Sequence, residues 1–378
     1  MIGGGVIAKG GYGCIFHPSI ESNNEKFVSK IQLKSTFASK NERNISEILS
    51  KVRNNENFFG LITKTSNINI KKISKKDRDE CAGIMKDYKS DQFILMEIPY
   101  VGKQNYQEYV LNQEDNKNAF LYFIETYKRL LQAIEILGEN NIIHFDFKDN
   151  NIVFHEIKKI PILIDFGLSI NLSKVKESLL DYFYIYAPDY YYWPLEVHYL
   201  NFLLHEKDHA NEEDINHMAT EFVINCSVLT KNFSPKFLEK YLNECKKILK
   251  KYQQISNEEI VDHILSTSKK WDNYSLSMGF LQNLRAFNPK GFVKNEFISF
   301  LAGFLVQNIH PDPEKRLTPK ETREKFDKYL YVKELNNTEN FLEILDNITE
   351  FRREMNDQIK ENIKEVKRLG TILYVDDI

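Results

Sequence analysis

Cysteine is scarce in this chain. Of 378 residues only four are cysteine, Cys14, Cys81, Cys226 and Cys245, and no two of them form a C-x-x-C pair. That spacing argues against a zinc site, and so few, scattered thiols in a chain of this size suit a reducing compartment. An excess of charge of one sign is also lacking. Against 51 Lys and Arg stand 54 Asp and Glu, a formal net charge of −3, which argues against a dedicated nucleic-acid binder. The local cluster Lys246, Lys247, Lys250 and Lys251 reads as a solvated helix face. No apolar run is long: Phe297 to Val306, broken by Ser299 and Gly303, is too short to span a bilayer and reads as a buried helix. Residues Met1 to Val6 are Gly-rich, with no basic stretch leading into an apolar one, so no secretory signal is expected. Ile2 rules out the N-myristoylation pattern. Internal repeats and long low-complexity segments are absent as well. The expectation is a cytoplasmic protein with no membrane or nucleic-acid partner.

What is present is an ordinary globular composition, 42% hydrophobic and 28% charged. Aromatics are plentiful, 26 Phe and 20 Tyr, so the core should be aromatic. The length suffices for two or three packed units. Residues 1 to about 100 read as β-rich with one helix. Val6-Ile7 and Ile15-Phe16 flank a glycine cluster and suggest a hairpin. Phe27 to Leu33 and Gln92 to Ile98 read as strands. Asn41 to Val52 carries Ile45, Ile48, Leu49 and Val52 at helical spacing. From Leu121 to Leu137 the helical pattern is strong, with Gly138 as a plausible C-cap. Ile152 to Phe154 and Ile160 to Ile164 read as two short strands, and beyond residue 200 the chain turns mostly helical. Thr338 to Leu369 has the pattern of one or two amphipathic helices.

Two strings carry chemistry. Ile142 to Phe154 reads I-I-H-F-D-F-K-D-N-N-I-V-F, and Ile164 to Gly167 reads I-D-F-G. The first places His144, Asp146, Lys148 and Asn151 in one loop between apolar runs. The second places the carboxylate of Asp165 at the end of an apolar strand. Phosphoryl transfer needs such a set: a carboxylate to accept a hydroxyl proton, a cation near the transferring phosphate, and hard oxygen donors for Mg²⁺.

With these strings the chain resembles the eukaryotic-type serine/threonine protein kinases, in a divergent form similar to those of large DNA viruses, over roughly residues 5 to 330. The resemblance implies an α+β, two-lobed fold with ATP in the cleft. The β-rich N-lobe would cover residues 1–102 and the helical C-lobe 103–334, with a helical extension over 335–378. It also implies Mg·ATP as cofactor and protein hydroxyls as acceptors. Ile7 to Phe16 resembles the glycine-rich loop over the phosphates. Its first glycine falls on Ala8, a departure, and the others on Gly10 and Gly13, with Gly11 between, Tyr12 at the tip and Ile15 over adenine. Phe27 to Ile31 resembles the V-A-I-K strand, so Lys30 would contact the α- and β-phosphates. Its carboxylate partner would be Glu42, with Glu47 as the rival. Gln92 to Glu97 is similar to the strand entering the hinge: Met96 would lie behind the adenine, and the backbone from Glu97 to Pro99 would meet its edge. Asp146 would be the base, Lys148 would neutralise γ-phosphate charge, and Asn151 and Asp165 would hold Mg²⁺.

The resemblance reaches further. Trp193 to Glu196 (W-P-L-E) stands where the family has A-P-E, and Asp312 to Thr318 resembles its late D-P-x-x-R stretch. Arg316 is therefore the expected partner of Glu196. Trp271 to Gly279 resembles the D-x-W-S-L-G helix start, where Asp272 would bind backbone N–H groups of the catalytic loop. Glu196 and Asp272 lie 76 residues apart, so most of 200–268 reads as a helical insert, either a partner-binding element or padding of the large lobe. The arginine that precedes the family's catalytic Asp is Phe145 here. Switching by an activation-segment phosphate is then not expected. Ala8 and Phe145 would also suit a pseudokinase scaffold, whereas the retained Lys30, Asp146, Lys148, Asn151 and Asp165 point to an enzyme. A small-molecule phosphotransferase would share Asp146 and Asn151 but usually lacks the other signatures.

Overall fold

Alternation along three strands decides which way each side chain of the first sheet points. In the computed structural model, which describes residues 4–9, 13–81, 85, 89–113, 116–287 and 296–334, this sheet runs β1 (Gly5–Lys9), β2 (Gly13–His17), β3 (Phe27–Leu33), β5 (Phe93–Pro99), β4 (Lys64–Asn67), every neighbouring pair antiparallel. β1 and β2 form the expected hairpin, and β3 has the expected bounds. One face of β3 presents Ile31, which joins Cys14, Phe16, Phe93 and Leu95 in an apolar core closed by Ile70, Ile73, Cys81 and Met85. The other face presents Lys30 and Gln32 toward Glu42 of α1 (Phe37–Leu49).

Helix α1 starts four residues before the apolar periodicity, because Thr36 caps it by accepting the Ser39 N–H. A short helix α2 (Lys75–Glu80), capped by Ser74, leads to Cys81. The cysteines depart from expectation: Cys14 and Cys81 form a disulfide across 67 residues, inside the apolar core of the sheet's far face. Spacing alone does not reveal such a pair, because the fold brings distant cysteines together, and the reading of reduced thiols is corrected for these two. Cys226 and Cys245 are free and buried.

Two compact units divide the chain. The first contains the described residues up to Tyr106, together with Glu139–Asp146 and Asn150–Val175. It thus adds β6 (Ile142–Ile143), β7 (Ile152–Phe154), β8 (Pro161–Leu163) and β9 (Ile170–Asn171), paired antiparallel as β6 with β9 and β7 with β8. The second is helical: α3 (Tyr106–Leu111), α4 (Asn116–Glu139), α5 (Leu179–Tyr182), α6 (Leu195–His205), α7 (Glu212–Asn225), α8 (Ser227–Asn232), α9 (Pro235–Tyr252), α10 (Asn257–Ser266), α11 (Trp271–Phe287), α12 (Glu296–Asn308) and α13 (Pro319–Glu334). Together these give a five-stranded antiparallel sheet followed along the chain by a larger helical part.

Gly138 does not cap α4. The helix runs one residue past it, and Asn141, at φ 56°, takes the left-handed conformation that reverses the chain into β6. The second unit's core is aromatic, as composition suggests: Phe280 packs on Phe123 and Tyr127, and Tyr127 on Phe326. The region read as an insert forms α7 to α10, begun by capping boxes at Asn211 and Ser256 and by Ser234 ahead of Pro235. Its inner faces are buried: Tyr252 stacks on Tyr199 of α6, and the Tyr241 hydroxyl donates to the Ile309 carbonyl at 2.6 Å. The helices expected over 338–369 lie outside the described residues. Among the described residues no helix is long and apolar enough to cross a membrane.

Candidate active site

Register brings four of the expected residues into one row across the sheet. Ala8 lies opposite Ile15, Ile15 opposite Lys30, and Lys30 opposite Met96. Cross-strand partners share a face, so all four stand on the side that carries Glu42. Lys30 and Met96 are buried, Ile15 half-buried and Ala8 exposed. Gly13 enters β2 where a Cβ would stand 2.8 Å from the Ile31 carbonyl oxygen, so only glycine fits there without displacing β3. Gly10, Gly11 and Tyr12 lie outside the described residues.

The Lys30 ammonium uses all three protons. It donates to Glu42 Oε1 and Oε2 at 2.9 and 2.8 Å, and to Asp165 Oδ1 at 2.9 Å. Glu47 points to solvent from the same helix. Burial disfavours charge on Lys30, but Asp165 and then Glu42 outweigh it and raise its pKa. Glu42 is shifted upward by burial against the pull of Lys30. With Nζ on both of its oxygens, the ionic pair is the form we assign at neutral pH. Burial also works against Asp165, yet Lys30, His144 and the Gly167 N–H together hold its pKa below the usual carboxylate value. Its side chain remains 47% exposed.

Asp146 and Asn151 meet across the tight loop between β6 and β7. Asn151 Nδ2 donates to the Asp146 carbonyl and to its Oδ2, both at 2.8 Å. The Asn151 carbonyl accepts the Ile164 N–H at 2.9 Å, and Asp165 follows in the chain. His144 Nε2 stands 3.0 Å from the Ile164 carbonyl oxygen, and its ring packs edge-on against Phe166 with centroids 5.0 Å apart. Phe145 and Asp165 both take left-handed backbone conformations, at φ 66° and 64°. Such conformations cost roughly 1–3 kcal/mol and persist where the surroundings over-determine them, often at functional sites. Lys148 is half-buried and belongs with Phe147 and Asp149 to the second unit.

The donor set fits a magnesium nucleotide. Both Asn151 amide hydrogens are spent on Asp146, which leaves the amide oxygen as its metal-binding end. Asp165 offers a solvent-facing carboxylate held beside a cation. Hard oxygens of this kind suit Mg²⁺.

One expectation is corrected. Glu97 was to offer its backbone to the adenine edge, but its carbonyl already accepts from the Thr63 N–H at 2.9 Å and the Thr63 hydroxyl at 3.0 Å. Its side chain points to the opposite face, where Ser19 and Ser22 donate to Oε1 at 2.8 and 2.7 Å. A fourth strand, β4, lies against β5 at this point and consumes the group. Its polar sequence K-T-S-N gave no strand signal.

Asn41 is the residue that sequence reasoning missed. Buried on α1 beside Glu42, it donates to the Gly167 and Ser169 carbonyls at 3.1 and 2.6 Å. A polar residue inside a helix carries no local mark of such a role.

The family model described as protein kinase domain matches residues 3–326. Two curated relatives, the probable cell division control protein 7 homologues 1 and 2 of Encephalitozoon cuniculi (strain GB-M1), are each 30% identical over 93 residues, 24% of this chain and 25% of theirs. The chain thus spans a quarter of the length of these relatives. A solved structure, the autoinhibited serine kinase domain of the giant muscle protein titin, is similar at 15% identity with a TM-score of 0.43, over 86% of this chain and 78% of that one.

Proposed function

The chain belongs to the protein kinase family, and from that premise we propose that it transfers the γ-phosphoryl group of Mg·ATP to serine or threonine hydroxyls of protein substrates. The observation that carries this reading is the Lys30 ammonium shared between Glu42 and Asp165, in the same unit as the Asp146–Asn151 pair. A scaffold that had abandoned catalysis would have no need to keep a lysine between two carboxylates at the cost of desolvating the lysine and Glu42.

The roles follow from the chemistry of each group. Ala8, Ile15 and Met96 line the row beside Lys30, an apolar edge for the base, and by the family resemblance Gly10, Gly11, Tyr12 and Gly13 would cover the phosphates. Lys30 holds α- and β-phosphate oxygens, and Glu42 keeps it extended. Asn151 and Asp165 would hold Mg²⁺, which when bound neutralises charge on the β- and γ-phosphates. Asp146 orients the acceptor hydroxyl and takes its proton. Lys148 balances charge at the transferring group, and its place two residues after Asp146 resembles the serine/threonine class. The W-P-L-E segment and the region 200–268 resemble kinases of large DNA viruses, which would put its action in a host cell's cytoplasm or a virion. That region is also where a protein partner could bind.

The test is transfer of labelled γ-phosphate from Mg·ATP to a dephosphorylated proteome by the purified chain, with Asp146→Asn and Asp165→Ala as controls. Label on serine and threonine, absent in both controls, is the expected result. Label on tyrosine alone would overturn the acceptor class. Incorporation no higher than in the controls would leave a non-catalytic scaffold.

A further inference from the structure

The Lys30–Glu42–Asp165 network ties α1 to the start of the segment after β8 through charged hydrogen bonds. A second tie, a neutral one, runs beside it. Both hydrogens of the Asn41 amide are spent on that segment, on the carbonyls of Gly167 and Ser169, which flank Leu168. Asn41 is 5% exposed and Ser169 is fully buried, so water does not compete for these bonds. The helix also lies close to the segment: a Cβ on Gly167 would stand 3.5 Å from the Ala38 Cβ, ordinary van der Waals contact. The segment is braced from its other side, where the Ser169 hydroxyl donates to the His144 carbonyl at 3.2 Å and the Gly167 N–H bonds the Asp165 carboxylate.

We propose that Asn41 is a positioning residue, a clasp that fixes the backbone from Gly167 to Ser169 against α1 and so assembles Lys30, Glu42 and Asp165 without any covalent switch. The clasp's catalytic consequence rests on the kinase reading above; its structural part does not. The physical grounds are three. The amide donates only to backbone carbonyls, so no phosphate or other modification is needed to complete it. Its bonds are neutral and enclosed, so salt does not screen them. Asn41 and Glu42 are adjacent on one helix turn, so holding one against the segment fixes where the other meets Lys30.

The experiment uses the full chain and the near-isosteric variant Asn41→Asp, which keeps shape but sets carboxylate oxygens against two carbonyls. A second variant, Asn41→Ser, removes the reach without adding charge. Hydrogen exchange of the nucleotide-free proteins is read at residues 166–171, beside thermal melting and steady-state kinetics. In both variants those amides should exchange faster by about tenfold, with the remaining protected amides unchanged. Turnover should fall about tenfold or more, with KM for ATP little altered, because misplacing Asp165 by a fraction of an ångström acts on chemistry more than on binding. Wild-type protein treated with a phosphatase should keep its turnover.

Unchanged exchange at 166–171 in both variants would overturn the clasp. Loss of turnover on dephosphorylation would overturn its independence from a covalent switch. If the wild type transfers no phosphate at all, the kinase reading fails and with it the clasp's catalytic consequence, while the exchange comparison still decides whether the clasp exists.

Discussion

Arg316 grips Glu196 at two points, Nη1 to Oε1 at 2.6 Å and Nη2 to Oε2 at 2.9 Å, with both side chains enclosed in the second unit. The remaining donors and acceptors are matched as well. Trp271 Nε1 donates to Glu196 Oε1 at 3.0 Å, Arg316 Nε donates to the His310 carbonyl at 2.6 Å, and the Tyr274 ring lies 4.9 Å from the guanidinium carbon. A buried ion pair gains little over a well-packed apolar pair, but removing one partner strands the other. Arg316→Ala or Glu196→Ala should therefore cost about 3–5 kcal/mol in urea unfolding. Arg316→Lys should not rescue the loss, since an ammonium cannot make the fork. The double variant Glu196→Leu/Arg316→Met should recover part of the stability. A single-variant loss below about 1 kcal/mol would mean that the pair is dispensable.

Asp146 and Asn151 touch, and the proposed roles divide chemistry from metal binding between them. Asp146→Asn keeps the shape of the loop and, on the proposed roles, removes the proton acceptor. Turnover should fall about 10²- to 10⁴-fold, while the dissociation constant for Mg·ATP, measured by calorimetry, stays within a few-fold. On the proposed roles Asn151→Ala should behave differently, since it would remove a magnesium-binding oxygen and free Asp146: turnover falls and the magnesium requirement rises. Equal loss of nucleotide binding in both variants would remove the division of roles.

What the sequence made legible was local. The hairpin around Gly13, the strand bearing Lys30, the loop from His144 to Asn151 and the Glu196–Arg316 pair depend on short patterns or on motifs whose members the fold always joins. What escaped it depends on tertiary neighbours. The Glu97 backbone looked like a partner for the adenine edge, but β4, a strand of polar residues, lies against it and its carbonyl accepts from Thr63. Asn41 and Asp149 are ordinary polar residues until the backbone or helix facing them is known. Cys14 and Cys81 lie far apart in sequence, and the packing of Ile70, Ile73, Cys81 and Met85, which flank α2, into the core on the sheet's far face brings them together. The end of α4 was set not by Gly138 but by Asn141, whose left-handed backbone is a small-residue role that asparagine fills nearly as well.

Asp149 gives the second unit a pH signature. It follows Lys148 in the loop, half-buried, with Asn283 Nδ2 3.4 Å from each carboxylate oxygen. Burial pushes its pKa up to about 6, against the small pull of Asn283. The unfolded chain gives up this proton near pH 4, the ordinary value for Asp, so between about 4 and 6 the folded state holds a proton that the unfolded state has lost. The contribution is present in full below pH 4, declines as pH rises to 6 and is flat above. Its size is of order 2 kcal/mol. Asp149→Asn should remove this slope and raise stability at pH 7 relative to wild type, as read from urea midpoints at pH 4, 5, 6 and 7. A wild type and variant whose midpoints run parallel across that range would show that Asp149 ionises normally.

The disulfide makes the most direct chemical prediction. Cys14 and Cys81 are joined, and Cys226 and Cys245 are free but enclosed, with burial pushing the Cys226 thiol up to about 12 and the Cys245 thiol well above its ordinary value. Thiolate is the reactive form, so the native protein should take up almost no alkylating reagent. Denatured without reductant it should take up two equivalents, matching its two free cysteines, and after reduction four, matching all of its cysteines. The bond closes a loop of 67 residues, for which loop-closure entropy amounts to about 4 kcal/mol before native strain is subtracted. Cys14→Ser should therefore lower stability by roughly 2–4 kcal/mol. The loss should fall on the first unit, so faster amide exchange should appear in β1, β2 and β3 while α11 and α12 stay protected. Four alkylated cysteines in the denatured, unreduced protein would show that the thiols are apart, and the expectation of a reducing environment would then stand for the whole chain.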